Sequence, residues 1–310
     1  MSHAGRARRI RQLVFSLAAV AGGCGAAAGF RFTATSDSRS PRLDLREAFA
    51  PVRSQAGRQA RSSFRHCLSQ INERVGSEGV FHVSIGDIDP PGQTWEDIVD
   101  TFGADTLWYP VVGNHDAATA AYLDWIRVRF ASLPRPLHPG PPGCETTTYS
   151  FDRGSAHFVV LNEYYDGRSD AGTDGDVGGG LCEWLAADLA ASAKPVKIVF
   201  GHEPAFPFER HIGDSLDKYP DNRDRFWALL ERERVAAYVC GHTHYYSRYR
   251  PEGGNVWQIN LGNAGNDQRD GQTFLACTVR RSSVRFDVWR GRLGGEFALE
   301  DRWTAGPRRR

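Results

Sequence analysis

Apolar residues recur with two periods along this chain. Short runs of β-branched and aromatic residues, bounded by glycine or serine, read as buried strands. Five of them are Phe30–Ser36, Val80–Gly86, Leu107–Gly113, Val196–Gly201 and Val235–Gly241. Elsewhere the apolar positions return every three or four residues. Phe64, Cys67, Leu68, Ile71 and Val75 predict a helix ending near Gly76. Thr94 is expected to cap a second helix carrying Trp95, Ile98, Val99 and Phe102, with Asp97 closing a capping box. Tyr122, Trp125, Ile126 and Phe130 mark a third, Leu181, Trp184, Leu185 and Leu189 a fourth, and Phe226, Leu229 and Leu230 a fifth. These stripes are core faces. Thr146–Phe151 and His157–Leu161 flank Asp152-Arg153-Gly154-Ser155, a hairpin signal. Val256–Leu261, Thr273–Arg280 and Val284–Trp289 read as antiparallel strands, so the sheet structure is mixed.

The five buried runs share an ending. Each delivers a metal-ligand residue type at or just after a glycine or serine: Asp37, Asp87, Asn114-His115-Asp116, His202, and His242-Thr243-His244. In open α/β sheets ligands bind outside the carboxyl ends of the strands. Five such loops on one sheet edge would gather two carboxylates, an amide and several imidazoles, the donor set of a two-metal hydrolytic site. Four of the ten histidines fall in these motifs.

Composition adds bounds. The 310 residues are 41% hydrophobic and 24% charged, ordinary for a globular chain. Residues 1–28 carry Arg6, Arg8, Arg9, Arg11 and no acid, followed by the apolar Leu13–Val20 and small residues, the layout of an export signal. Ala26-Ala27-Ala28 suits cleavage; Gly22-Gly23-Cys24 resembles a lipoprotein site, which would anchor the chain to a membrane by lipid at Cys24. The expected location is periplasmic or extracellular; the alternative is a cytoplasmic protein with a basic leader. Taking those four arginines from the 38 basic residues leaves 34 against 37 acidic, so no basic surplus marks a nucleic-acid partner. Cys144 and Cys182 could pair in an oxidising compartment. No linker divides the chain, which gives one domain over residues 29–305 and a basic tail at 306–310.

Each candidate site residue has a distinct chemistry. Asp87 can offer one oxygen to each of two cations, Asp37 is a terminal carboxylate, and Asn114 supplies a neutral oxygen. His115 need not bind metal and is then free to act as an acid, with Asp116 expected to hold its ring and raise its pKa. The imidazoles of His242 and His244 suit a borderline transition metal.

In this order the motifs resemble the calcineurin-like metallophosphoesterase superfamily, which includes the purple acid phosphatases. The resemblance implies a four-layer α/β/β/α sandwich of two mixed sheets flanked by helices. It implies two divalent or trivalent transition-metal ions (manganese, iron or zinc) acting on a small phosphate ester. Asp37, Asp87 and His244 would hold the first ion; Asp87, Asn114, His202 and His242 would hold the second. His115 would sit beside the leaving-group oxygen. Such a site hydrolyses phosphomonoesters or, alternatively, phosphodiesters or nucleotides; a phosphate- or metal-binding pseudoenzyme is the alternative from another class. One position departs from the family pattern. The histidine usual two residues after the first aspartate is Arg39, and the tyrosine of purple acid phosphatases three residues after the bridging aspartate is Pro90. A guanidinium cannot ligate a cation but suits phosphate bidentately, so Arg39 either clamps the substrate or turns outward into a surface ion pair.

Overall fold

The computed structural model describes residues 29–39, 55–76, 81–172, 174–265, 267 and 269–306. The leader at 1–28 with Cys24, and residues 307–310 of the tail, lie outside the described residues. The strands are β1 Phe30–Thr35, β2 His82–Ile85, β3 Trp108–Val111, β4 His138–Pro139, β5 Tyr149–Arg153, β6 Ala156–Val160, β7 Val196–Phe200, β8 Ala237–Cys240, β9 Tyr246–Tyr249, β10 Trp257–Leu261, β11 Gln272–Arg280, β12 Ser283–Gly291 and β13 Ala298–Ala305. The helices are α1 Gln55–Val75, α2 Pro91–Phe102, the single turn α3 Asn114–Ala117, α4 Ala120–Phe130, α5 Gly179–Ala191 and α6 Pro220–Arg232.

Two mixed sheets form, ordered β13-β12-β11-β1-β2-β3 and β4-β5-β6-β7-β8-β10-β9. The period of two along the strands explains how they pack. Phe32, Val83, Tyr109, Phe158, Ile198, Phe200 and Val239 point between the sheets and make one core. There Phe32 stacks on Phe81 at 4.9 Å and meets Phe158 edge-on at 5.3 Å. The alternate residues face outward. Val159, Val199 and Tyr238 pack under Leu181, Leu185, Phe226 and Leu230 of α5 and α6. On the other side Trp108, Phe274 and Ala276 pack under Phe64, Leu68 and Ile71 of α1, Ile98 of α2 and Leu123 of α4. Helix, sheet, sheet and helix therefore make four layers, each apolar face covered by the next.

Several expectations shift. The five ligand-bearing strands do not share one sheet edge: β1, β2 and β3 run parallel in the first sheet, β7 and β8 in the second. Their carboxyl ends meet because the sheets stack. The run ending at Leu261 is not antiparallel to those after it; β10 pairs parallel with β8 and closes on β9, whereas β11 and β12 join the first sheet. Helix α2 begins at Pro91, ahead of Thr94, since a proline at the first helical position lacks only an N–H that would have no partner. The Thr94 hydroxyl instead donates to Ile88 O at 3.0 Å, and Asp97 accepts from Arg61 and Arg65 of α1, each at 2.8 Å. Cys144 and Cys182 are free buried thiols rather than a disulfide; Cys144 Sγ contacts Thr148 Oγ1 at 3.1 Å.

Remote from the strand ends, the buried ring of His157 lies between Asp152 and Asp188, each at 2.8 Å. Burial pushes its pKa down, and the two carboxylates more than reverse that, leaving it raised above 6.5. The protonated ring therefore stabilises the fold fully below pH 6.5 and loses that contribution as pH rises through the raised folded value. His157→Ala should cost about 2–3 kcal/mol at pH 6 and flatten the loss of stability seen on going to pH 9; denaturant unfolding at both pH values checks it.

Candidate metal centre

The residues that end β1, β2, β7 and β8 are brought together across the sheet interface. Asp37 N donates to Gly86 O at 3.2 Å, Gly241 N to His202 O at 2.8 Å, and His242 N to Asp37 Oδ2 at 3.0 Å. Glycine precedes the ligands for a steric reason. A Cβ on Gly86 would collide with the His202 ring, and one on Gly241 with Ser36 and Asp37. The backbone is also strained here. Asp37 (φ 51°), Asp87 (φ 51°), His242 (φ 69°) and His244 (φ 62°) all adopt the left-handed region, which non-glycine residues rarely enter outside sites that require it.

Donor atoms converge inside this ring of loops. One ligand atom each from Asp37, Asp87 and His202 lies within 4.8 Å of the others. His202 Nε2 is 3.6 Å from Asp87 Oδ1, and His244 Nε2 is 3.2 Å from Asp37 Oδ1. Three buried atoms, Asn114 Oδ1, His202 Nε2 and His242 Nε2, have no hydrogen-bond partner. Buried polar atoms are rarely left so, and all three belong to residues whose chemistry suits a transition metal. The remaining ring nitrogens fix the geometry. His202 Nδ1 donates to Ile85 O at 2.8 Å, and His244 Nδ1 contacts Asp267 Oδ2 at 2.7 Å. Both contacts aim Nε2 inward, as carboxylate and carbonyl partners do for metal-binding imidazoles.

The electrostatics favour positive charge. Burial pushes the His202 pKa down, yet Asp87 and Asp37 bring it to about 9. Burial raises the Asp37 carboxyl, and His244, His202 and Ser36 overcome this to hold it well below the usual range. Burial and then the Asp87 charge push Asp89 up to about 7. His242 is driven down to about 2 by burial and then by His202 and His211, so its ring is neutral.

Arg39 points inward, not to the surface. Its Nη1 lies 3.8 Å from Asp87 Oδ2 and touches His115 Nε2, while Nε is 3.6 Å from Asp89 Oδ1. His115 Nε2 is itself 3.8 Å from Asp87 Oδ2. The pairing expected of Asp116 fails. Its buried carboxylate accepts from Gly113 N at 2.9 Å and Ile88 N at 3.2 Å, tying the Asn114 loop to the Asp87 loop rather than orienting His115. Nor is the His115 pKa raised: burial lowers it, and the pull of Asp87 does not restore it.

Glu163, Asp267 and His211 escape a reading by motif. Glu163, fully buried after β6, accepts from His202 N at 2.9 Å and Glu203 N at 2.7 Å and so clamps the turn that presents His202. Glu203 accepts from Tyr164 OH at 2.8 Å. Burial raises Glu163 to about 7 and Glu203 to about 8. Asp267 follows β10 without a strand-end glycine beside it, and the His211 ring packs against His242 at a tilt of 35° with centroids 4.0 Å apart. Asn263 serves the Asp267 loop, donating to Asp267 O and Gly271 O at 2.9 Å.

The calcineurin-like phosphoesterase family model matches residues 30–246, from β1 through all five ligand loops. The chain belongs to the calcineurin-like phosphoesterase family. Curated relatives include probable inactive purple acid phosphatase 9 of Arabidopsis thaliana, 26% identical over 224 residues and covering 64% of this chain and 30% of that protein. Acid phosphatase of Aspergillus ficuum is 31% identical over 160 residues, 38% of this chain and 24% of the relative. This family member thus spans less than a third of the length of either. The purple acid phosphatase PPD1 from yellow lupin (Lupinus luteus) seeds superposes with a TM-score of 0.60 at 13% identity, over 90% of this chain and 54% of that one, a likeness of fold.

Proposed function

We propose that this chain hydrolyses small phosphate esters, phosphomonoesters foremost, at a two-metal centre. The observation that carries the reading is the cluster of Asp37, Asp87 and His202 together with three unpartnered buried donor atoms on Asn114, His202 and His242. Asp37, Asp87 and His244 would hold one cation, and Asp87, Asn114, His202 and His242 the other. Manganese, iron and zinc all accept these donors. Such cations supply Lewis acidity, lowering the pKa of a water and offsetting phosphoryl charge. The chain's own residues do the rest. Arg39 offers a guanidinium to the phosphate, and its contacts with Asp87, Asp89 and His115 keep it at the mouth of the site. Arg39 donates to His115 Nε2 in the resting site, so that nitrogen carries no proton there; once the phosphate draws the guanidinium away, Nε2 takes up a proton from solvent and passes it to the leaving oxygen. Export rests on residues 1–28 alone, with Cys24 removed or lipid-anchored.

Arg39→Ala should raise KM about tenfold, the loss of roughly one charge-assisted contact, with bound metal unchanged. Metal analysis beside steady-state kinetics checks it; lost metal with unchanged KM contradicts the clamp. The reading as a whole is tested by loading the protein with manganese, iron or zinc and comparing kcat/KM for a phosphomonoester and a phosphodiester. Metal-dependent turnover favouring the monoester supports it. A second reading, a phosphate-binding protein with little turnover, draws on Arg39 standing where a ligand is usual; bound metal and phosphate without turnover would establish it.

A further inference from the structure

A cleft of about 700 Å3 opens beside β9, walled by Ala205–Phe208 and Ile212 after β7 and by Tyr246–Tyr249. None of its lining residues is a candidate ligand, yet it adjoins the metal centre in two ways. Tyr246 follows His244 by two residues, so their Cα atoms are at most about 7 Å apart. Ile212 follows His211, whose ring packs on His242. Because β9 runs antiparallel to β10, Tyr246 lies opposite Leu261 at the ligand-bearing end and Tyr249 opposite Gln258 farther down. The cleft therefore leads away from the metal centre along the sheet edge.

Its chemistry is apolar. Phe208 (49% exposed), Ile212 (70%) and Tyr249 (44%) line it, half of the six large hydrophobic side chains left exposed among the described residues. A cluster of exposed apolar side chains marks a binding site, and the volume suits a small organic group. Its cations are already engaged. Arg248 lies over Trp303 at 4.4 Å and pairs with Asp301 at 3.2 Å, while Arg223 pairs with Asp224 at 2.7 Å. The cleft is therefore poorly equipped for a second anion.

We propose that this cleft binds the organic part of the ester, selecting substrates with an aromatic or extended apolar leaving group. The assignment rests on the phosphoesterase reading above. It locates selectivity in the loop after β7. Phe208 and Ile212 are the specificity-determining side chains.

The test compares wild type with the double variant Phe208→Ser/Ile212→Ser, both changes being at exposed positions. Three probes are used: 2-naphthyl phosphate, glycerol 2-phosphate, and 2-naphthol alone by calorimetry. The double variant should lose about 10–50-fold in kcat/KM for 2-naphthyl phosphate, stay within about twofold for glycerol 2-phosphate, and bind 2-naphthol at least about tenfold more weakly. Equal losses on both esters, or no loss on either, would overturn the subsite while leaving the phosphoesterase reading intact. Binding of 2-naphthol that depends on these residues, with neither ester hydrolysed, would overturn that reading and the leaving-group role with it.

Discussion

Asp87→Asn should abolish metal binding and lower kcat/KM for a phosphomonoester by at least about a thousandfold, since metal charge stabilisation is worth several kcal/mol and each 1.4 kcal/mol is a factor of ten. In the proposed centre Asp87 is the shared ligand; its Oδ1 lies 3.6 Å from His202 Nε2, and its Oδ2 lies 3.8 Å from Arg39 Nη1 and from His115 Nε2. The fold should survive. Asparagine keeps the oxygen that accepts from His115 N at 3.1 Å. It also removes a charge that helps to push the carboxyls of Asp89 and Asp116 up. Against that relief stands the lost attraction to His202 and Arg39, so the metal-free variant should unfold cooperatively and within a few degrees of metal-free wild type. Metal analysis, kinetics and thermal unfolding of one preparation read all three effects. A variant that keeps its metal and its rate would remove Asp87 from the centre.

His115→Ala should cost about two to four orders of magnitude in kcat on alkyl phosphates, the usual contribution of a general acid, and less than about tenfold on an activated aryl phosphate whose leaving group needs no proton. Its ring is exposed enough to reach a leaving oxygen and is held near Asp87 and Arg39 instead of by Asp116. Burial lowers its pKa, so the acid form is reached below the usual histidine range and the alkyl-ester advantage should fade as pH rises. Equal losses on both esters at every pH would make His115 a packing or phosphate contact and not an acid.

The layers of the fold and the gathering of the candidate site were legible because they depend on local rules. A buried strand, a tight glycine or serine and a ligand-type residue leave a short contiguous signal, and the strand ends bring Asp37, Asp87, His202, His242 and His244 together. Helix α2 was misplaced at its start because Thr94 and Asp97 form hydrogen bonds outside their own helix, to Ile88 and to α1. The pairing of β10 with β8 was hidden because a strand's partner depends on the crossover between them. Asp116 was assigned to its neighbour His115 by adjacency, yet one helical turn points the two side chains apart. Glu163 and Asp267 carried no motif, since each acts on a histidine 39 or 23 residues away in sequence. Arg39 could be read in two directions until the neighbouring loop placed Asp89 and His115 around it.

The central claim is that two unequal cation sites share Asp87, one of them short of a ligand where Arg39 stands. Metal titration into chelator-treated protein, with bound metal per chain counted at each point alongside monoester hydrolysis, tests it most directly. The account predicts a tight first equivalent, a weaker second, and full activity only near two per chain. Full activity at one equivalent, or hydrolysis without any bound metal, would contradict it.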